Sequence, residues 1–403
     1  MSPSFARAMA TLSLCMIVKD EAQRLAACLT SAQSIVDEIV VVDTGSTDQT
    51  VAIAQQFGAQ VHHQAWNDSF AEARNRSLQE ASSDWVLVLD ADETLTPAAI
   101  AKIPEAIADE QRLVINLVRH EIGAAQSPYS LVSRLFRRHP DIIFTRPYHA
   151  MVDDSVAALL AREPHWQIAQ ISGVAITHDG YQDQAIASQG KLARTQSALE
   201  KFCGEHPHDA YASSKLGGLY IQTSDPRGLP LLEAALATDP PPAVAYEAYY
   251  HLGIAYRQQQ RLAEAAQAYQ KAIAQPITPL VKIGAWLNLG SLLQAQGDLE
   301  GAIAQYQALL QADPSFTKAY YNLGLTLKQM GRLSQAVAAY QRAVALDPEF
   351  ADAHQNLGVS LLNLGYIEES MKAFRQAIAI HQRRNPEEAE RLRQVLGSMG
   401  WEL

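Results

Sequence analysis

The stretch WVLVLDADE, residues 85–93, climbs through apolar residues and then places Asp90, Asp92 and Glu93 within four positions. Carboxylates so close raise one another's pKa unless a cation shares them. Three arrangements fit: a divalent metal held by hard oxygen donors, an acid/base pair, or a solvated loop. Asp43 closes a second apolar run, EIVVVD, and leads into Thr44, Gly45 and Ser46, while Lys19 follows a third, LSLCMIV. Any one of these ends reads equally well as an ordinary polar turn. Three of them together point to a site.

The elements that must position them read as alternating strands and helices. Between Thr11 and Tyr181 the runs LSLCMIV, EIVVVD, AQVHHQ, WVLVLD and LVINLV are separated by amphipathic helical stretches. Continuous apolar strands of this kind are buried on both faces, which predicts an α/β core around a mostly parallel sheet. Ligands in such sheets collect beyond the carboxyl ends of the strands, where Lys19, Asp43 and Asp90 to Glu93 fall. Alternation along an extended segment predicts that Asp90 and Asp92 point to the same side. The STD that follows Asp43 also reads as the start of the helix QTVAIAQQF.

The totals narrow the class. With 403 residues, 48% hydrophobic and 19% charged, the chain has room for two or three globular domains. A net charge of -11, from 32 basic and 43 acidic residues, argues against a general nucleic-acid or anionic-membrane surface. Cys15, Cys28 and Cys203 lie far apart with no CxxC spacing, so neither a zinc site nor a disulfide framework is expected, and a reducing cytoplasm fits. The apolar run near Met1 is too short to span a bilayer and is followed at once by Lys19, Asp20 and Glu21, so no membrane span or signal peptide is expected.

The texture changes from about Ala210. LNLGSLLQAQGDLEGAIAQYQALLQADP is followed by YNLGLTLKQMGRLSQAVAAYQRAVALDP and QNLGVSLLNLGYIEESMKAFRQAIAI, with Gly290, Gly324 and Gly358 at intervals of 34. Ala302 and Ala336, and the aromatics Tyr306, Tyr340 and Phe374, fall on matching positions. This is the tetratricopeptide (TPR) period, and it predicts an α-solenoid in which each repeat buries a core only against its neighbours. An earlier copy, YHLGIAYRQQQRLAEAAQAYQKAI, carries Gly253 at a spacing of 37, so about three extra residues sit near Pro276 to Pro279. A degenerate unit around KLGGLY opens the array.

The first half resembles the family 2 glycosyltransferases of the GT-A fold, in particular a branch fused to TPRs. CMIVKDE, EIVVVDTGSTDQT, FAEARNRSL, WVLVLDADE, SRLFRRHP and ITHDGY occur in family order across residues 11–181. The resemblance implies a GT-A (Rossmann-like) mixed sheet with helices on both faces and an inverting, hexosyltransferase-like reaction on a nucleotide-sugar donor, UDP-linked. It assigns Asp92 to Mn²⁺ or Mg²⁺ directly, with Asp90 in the metal shell or on the ribose, Glu93 as a neighbour and His178 completing the metal site. It places Asp43 on the nucleobase and Arg74 and Lys19 against the donor. A divalent cation would neutralise the diphosphate leaving group, and imidazole with carboxylate suits Mn²⁺ at least as well as Mg²⁺.

The acceptor side departs from the family pattern. Inversion needs a group to take the acceptor proton, yet in RPYHAMVDDSV Ala150 follows His149 where relatives show a glutamate. His149, Asp153 and Asp154 are the candidate bases; the two aspartates read equally as solvated loop acids. In the repeats Asn288, Asn322 and Asn356 precede the leucine of each LG pair, where O-linked N-acetylglucosamine protein transferases carry an asparagine ladder on peptide backbone. Amides both donate and accept, which suits such a grip, and His251 interrupts the ladder. The expected organisation is a transferase domain over 11–181, a helical connector over 182–209, TPR repeats over 210–384 and a capping helix over 385–403. The expected acceptor is a protein or peptide delivered by the TPR groove, with a glycan or small molecule left open. Two other classes stay open: an interaction scaffold with a decayed transferase half, and a nucleotidyltransferase, against which CMIVKDE lacks a glycine-rich basic phosphate loop.

Overall fold

The computed structural model describes residues 10–124, 126–146, 150–179 and 184–401, without the side chains of 184–192 and 194. The chain forms two compact units, 1–240 and 241–403.

The first unit is built on an eight-stranded sheet of order β3-β2-β1-β4-β7-β6-β8-β5. Its strands are β1 (Leu12–Val18), β2 (Glu38–Asp43), β3 (Gln60–His63), β4 (Trp85–Val88), β5 (Glu93–Leu95), β6 (Arg112–Glu121), β7 (Tyr129–Arg137) and β8 (Gln167–His178). Helices α1 (Leu25–Ala32), α2 (Thr50–Gln56), α3 (Phe70–Glu80), α4 (Pro97–Ile107) and α5 (Asp153–Arg162) connect them. The pairs β1–β2, β1–β4, β2–β3 and β6–β8 are parallel, and β4–β7, β6–β7 and β5–β8 antiparallel, so the sheet is mixed.

Alternation along the central strands divides the core between the two sheet faces. Leu12, Leu14 and Met16 pack with Trp85 and Leu87 on one face; Cys15, Val40, Val86 and Val88 pack with Phe144, Val156 and Leu159 on the other. Both faces are therefore apolar and covered, as the unbroken hydrophobic runs require. One irregularity bears on the site. Between Ile115 and Leu117 of β6 the partner strand advances from Leu135 to Val132, so Ser133 and Arg134 both stand opposite Asn116. A bulge of this kind re-aims side chains out of the regular alternation.

The unit continues with α6 (Gln184–Glu205) and the hairpin α7 (Ala210–Gln222) and α8 (Gly228–Leu236). The second unit holds four helix pairs: α9 (Pro242–Gln258) with α10 (Leu262–Ala274), α11 (Ile283–Gln296) with α12 (Leu299–Ala312), α13 (Thr317–Gln329) with α14 (Leu333–Leu346), and α15 (Ala351–Asn363) with α16 (Ile367–Arg384). The helix α17 (Pro386–Ser398) follows, with Asn385 as its N-cap. This is the α-solenoid that the 34-residue period predicts. The extra residues near Pro276 to Pro279 lead into a short 3₁₀ turn, Pro279–Lys282, before α11.

The repeating glycine has a packing reason. A Cβ on Gly324 would stand 2.6 Å from the buried Tyr340 ring, and one on Gly290 would stand 2.7 Å from Tyr306. Gly324→Ala is therefore expected to destabilise the second unit: overpacking costs about 1–3 kcal/mol, which exceeds the ~1 kcal/mol gained in helix propensity. Thermal unfolding followed by circular dichroism should show a midpoint lower by a few degrees; an unchanged midpoint would mean that the Tyr340 ring yields freely.

Candidate functional site

The acidic stretch does not run on as a strand. β4 ends at Val88 and the chain turns: Glu93 N–H donates to the Asp90 carbonyl at 3.0 Å, while Asp90 N–H donates to Glu93 Oε2 at 2.9 Å. The expectation from alternation is thereby corrected, because a turn rather than an extended segment separates Asp90 from Asp92. The two carboxylates go to different partners. Glu93 opens β5, which pairs antiparallel with β8 so that Glu93 stands across from His178.

Asp90 is taken up by arginines. Arg74 Nη2, from α3, donates to Oδ1 at 2.8 Å, and Arg134 Nη2, from the β7 bulge, donates to Oδ2 at 2.9 Å. Arg134 Nη1 also reaches Glu93 Oε2 at 2.9 Å, and Arg119 Nη1 of β6 reaches Glu93 Oε1 at 2.8 Å. Glu93 is 0% exposed. Arg119 continues to Glu121 at the end of β6, Nη2 to Oε1 at 2.7 Å, where Ser130 Oγ also donates. Glu121 Oε2 meets His178 Nδ1, and His178 Nε2 faces Asp92 Oδ2 at 3.2 Å.

The result is one alternating chain of charges: Arg74, Asp90, Arg134, Glu93, Arg119, Glu121, His178 and Asp92. Removing such groups from water is costly unless each has a partner of opposite sign, and here each has one. Burial works against the charged form of Asp90, but Arg134 and Arg74 overcome it and hold the carboxyl well below its usual range. Burial likewise opposes Glu121, yet His178 and Arg119 bring it down to about 2. His178 loses from burial and gains more from Asp92 and Glu121, which lift it to about 9.

The donor chemistry of the Asp92 end fits a divalent cation. A carboxylate oxygen and an imidazole Nε2 face each other, and Glu121 holds the opposite ring nitrogen, the pattern that fixes the tautomer and orientation of a metal-binding histidine. Among the described residues no group of three or more His, Cys, Asp and Glu side chains is arranged to hold a metal alone. A cation here would have two protein ligands, as is usual for Mg²⁺ completed by phosphate oxygens. Asp90, whose two oxygens are both engaged by guanidinium groups, is not free in the same way.

The other expected residues divide. Asp43 ends β2, buried, and makes the following turn: its carboxylate accepts from Gly45 N at 3.2 Å and Ser46 N at 3.1 Å and faces His63 Nδ1 at 3.2 Å. Gly45 adopts φ 109°, a region that favours glycine. Burial opposes ionisation of Asp43, but Ser46, His63 and Gly45 more than offset it and hold its pKa down. Lys19 is exposed just beyond β1. Arg74 is enclosed, its guanidinium 5.3 Å from the Phe144 ring centroid as well as on Asp90.

Asp153 and Asp154 open α5. Asp153 Oδ1 accepts from Ser133 Oγ at 3.0 Å, and burial raises its pKa. Asp154 is exposed and engaged by Arg146 at 2.6 Å and by Thr145 Oγ1 at 2.8 Å. His149 lies outside the described residues; Ala150 is partly buried against the core on the α5 side. In the solenoid, Asn288 is 4% exposed and lies beside Tyr250 and Tyr269. Asn322 is half-buried beside Tyr306, and Asn356 holds Lys328 Nζ and the Tyr321 hydroxyl. Asn356 is thus engaged within the array, whereas Asn288 Nδ2 is buried without a hydrogen-bond partner.

Four members of the network escaped the sequence reading of the site: Glu93 as a hub, Arg134, Arg119 and Glu121. Arg134 lies inside SRLFRRHP, and Arg119 and Glu121 stand two apart at the end of an apolar strand, a spacing that puts both on one side. That pairing was the available signal.

The profile of Glycosyl transferase family 2 matches residues 13–169. TPR profiles match 226–279, 290–331, 326–365 and 351–382. A TPR repeat-containing protein of Synechococcus elongatus is 44% identical over 307 residues, 76% of this chain and 75% of that one. An uncharacterized glycosyltransferase of Rickettsia felis is 44% identical over 93 residues, 22% of this chain and 31% of that one. The glycosyltransferase SunS of Bacillus phage SPbeta is 34% identical over 95 residues, 23% of this chain and 22% of that one.

Proposed function

We propose, of a chain that belongs to the family 2 glycosyltransferases carrying TPR repeats, that it moves a sugar with inversion from a UDP-linked donor to a protein or peptide acceptor brought by the repeats. The observation that carries this reading is the meeting of Asp92 with His178, 86 positions apart in the chain, with Glu121 behind the imidazole.

In this reading Asp92 and His178 Nε2 hold Mn²⁺ or Mg²⁺. The cation, when bound, offsets the charge that gathers on the diphosphate as the glycosidic bond breaks. Asp90 stands behind them and fixes Arg74 and Arg134 at the donor side. Asp43, at the neighbouring strand end, reads the nucleobase with the acceptor capacity its turn leaves over, and Lys19, exposed beyond β1, contacts the donor. Asp153 is the base that takes the acceptor proton: it is held by Ser133 Oγ and burial raises its pKa, whereas Asp154 is neutralised by Arg146.

Calorimetric titration of UDP into the full chain, with Mn²⁺ and then with chelator, tests the reading. Binding only in the presence of the cation supports it. Absence of both nucleotide and metal binding would leave the protein as a TPR scaffold with a silent transferase half.

A further inference from the structure

We propose that Arg146 is a positioning residue that seats the segment bearing Asp153 and Asp154 on the N-terminus of α7, which makes that helix a working part of the transferase and not a tether. The proposal rests on the transferase reading only for its catalytic consequence.

Arg146 has a left-handed backbone, φ 71°, which a residue with a Cβ adopts when its surroundings compel it. Its side chain is 8% exposed and bridges two carboxylates from distant parts of the chain. Nη1 pairs with Asp154 at 2.6 Å, and Nη2 and Nε reach Asp209 Oδ2 at 2.8 and 3.0 Å. The guanidinium also lies 5.1 Å from the ring centroid of Tyr211, on the first turn of α7. Asp209 serves twice: its other oxygen accepts from Ala212 N–H at 2.8 Å and caps α7.

The segment is closed on itself and held from its other side by α3. Thr145 and Met151 exchange backbone hydrogen bonds at 2.9 and 3.3 Å. Asn75 of α3 clamps the Phe144 backbone with both ends of its amide, at 2.7 and 2.9 Å, and the Phe144 ring covers Arg74, the partner of Asp90. An unbroken line of contacts therefore runs from the α7 cap, through Arg146 and the start of α5, to the carboxylates of the site. Loss of the Arg146–Asp209 pair frees the α5 end of this segment and with it the placement of Asp153 against Ser133.

Asp209→Asn separates the two duties of that residue. Asparagine caps a helix as well as aspartate does, but it gives Arg146 no charge to pair with. Hydrogen–deuterium exchange on the full-length variant should show amides of 142–146 and 150–154 exchanging about tenfold faster, with α7 amides unchanged. With UDP-glucose and UDP-N-acetylglucosamine as probes and water as the acceptor, kcat for hydrolysis to UDP and free sugar should fall about tenfold to a hundredfold at unchanged KM for the nucleotide sugar. Arg146→Lys, with one point charge for two carboxylates, should fall between the variant and the native chain.

The proposal is overturned if exchange in those two windows does not change, if α7 loosens equally, or if exchange rises while kcat holds. If the native protein releases no UDP from either probe, it is the transferase reading that fails, and the exchange result alone still decides whether α7 seats the segment.

Discussion

Asp92→Ala abolishes the cation-dependent part of UDP binding and weakens the nucleotide by about 100-fold or more, ~2.7 kcal/mol. The argument is local. Asp92 supplies the only carboxylate oxygen that faces His178 Nε2 among the described residues, at 3.2 Å. Glu121 continues to hold Nδ1 when Asp92 is gone, so the histidine keeps its place and the loss registers as lost cation affinity and not as a collapsed site. Asp92→Asn, of equal volume, should behave nearly as badly, because a hard divalent cation takes an anionic oxygen over an amide. The thermal midpoint should move little in either variant, since Asp92 lies at the end of the charge chain and not in its interior. Titration of UDP at fixed Mn²⁺ measures this; equal UDP affinity with and without the cation, in native and variant alike, would remove the metal from the proposal.

The second large effect is on stability. Glu93→Gln should cost the first unit about 3–5 kcal/mol, the range for removing one partner of a buried ion pair. Glu93 is fully enclosed, and its two oxygens serve Arg119 and Arg134 while one of them also accepts from Asp90 N–H. Glutamine keeps the shape and one acceptor, but its amide nitrogen points donors at a guanidinium. Two arginines are then left in a low-dielectric setting with one carboxylate fewer. At about 2–4 °C per kcal/mol for a unit of this size, scanning calorimetry should show the transition of residues 1–240 lowered by roughly 10 °C, and that of the solenoid unmoved. A shift under about 1 °C would show that Asp90 and Glu121 suffice to balance the arginines. A double-mutant cycle with Arg134→Met would apportion the pair, because residues that share a network do not act additively.

Much of the fold was legible because it rests on periodicity. Unbroken apolar runs separated by amphipathic stretches require a sheet covered on both faces, and β1, β2 and β4 occupy such runs. The 34-residue interval required a solenoid, and Gly324 beneath the Tyr340 ring shows why a small residue recurs there. The aspartates at strand ends were visible for a similar reason: the apolar runs of β2 and β4 stop where the acidic residues begin.

What the sequence by itself determined, then, is the set of local elements and the ends of the strands at which polar chemistry gathers. Only the tertiary structure decided who meets whom. The turn at Ala91 sends Asp90 to Arg74 and Arg134 and Asp92 to His178. The bulge opposite Asn116 delivers Arg134 to the carboxylates and Ser133 to Asp153. Antiparallel pairing of β5 with β8 brings Glu93 level with His178. Periodicity is a property of neighbours in the chain, and it specifies which face a residue presents. Ion pairing across strands depends on register, on a single inserted residue and on burial, and these arise only when the sheet closes.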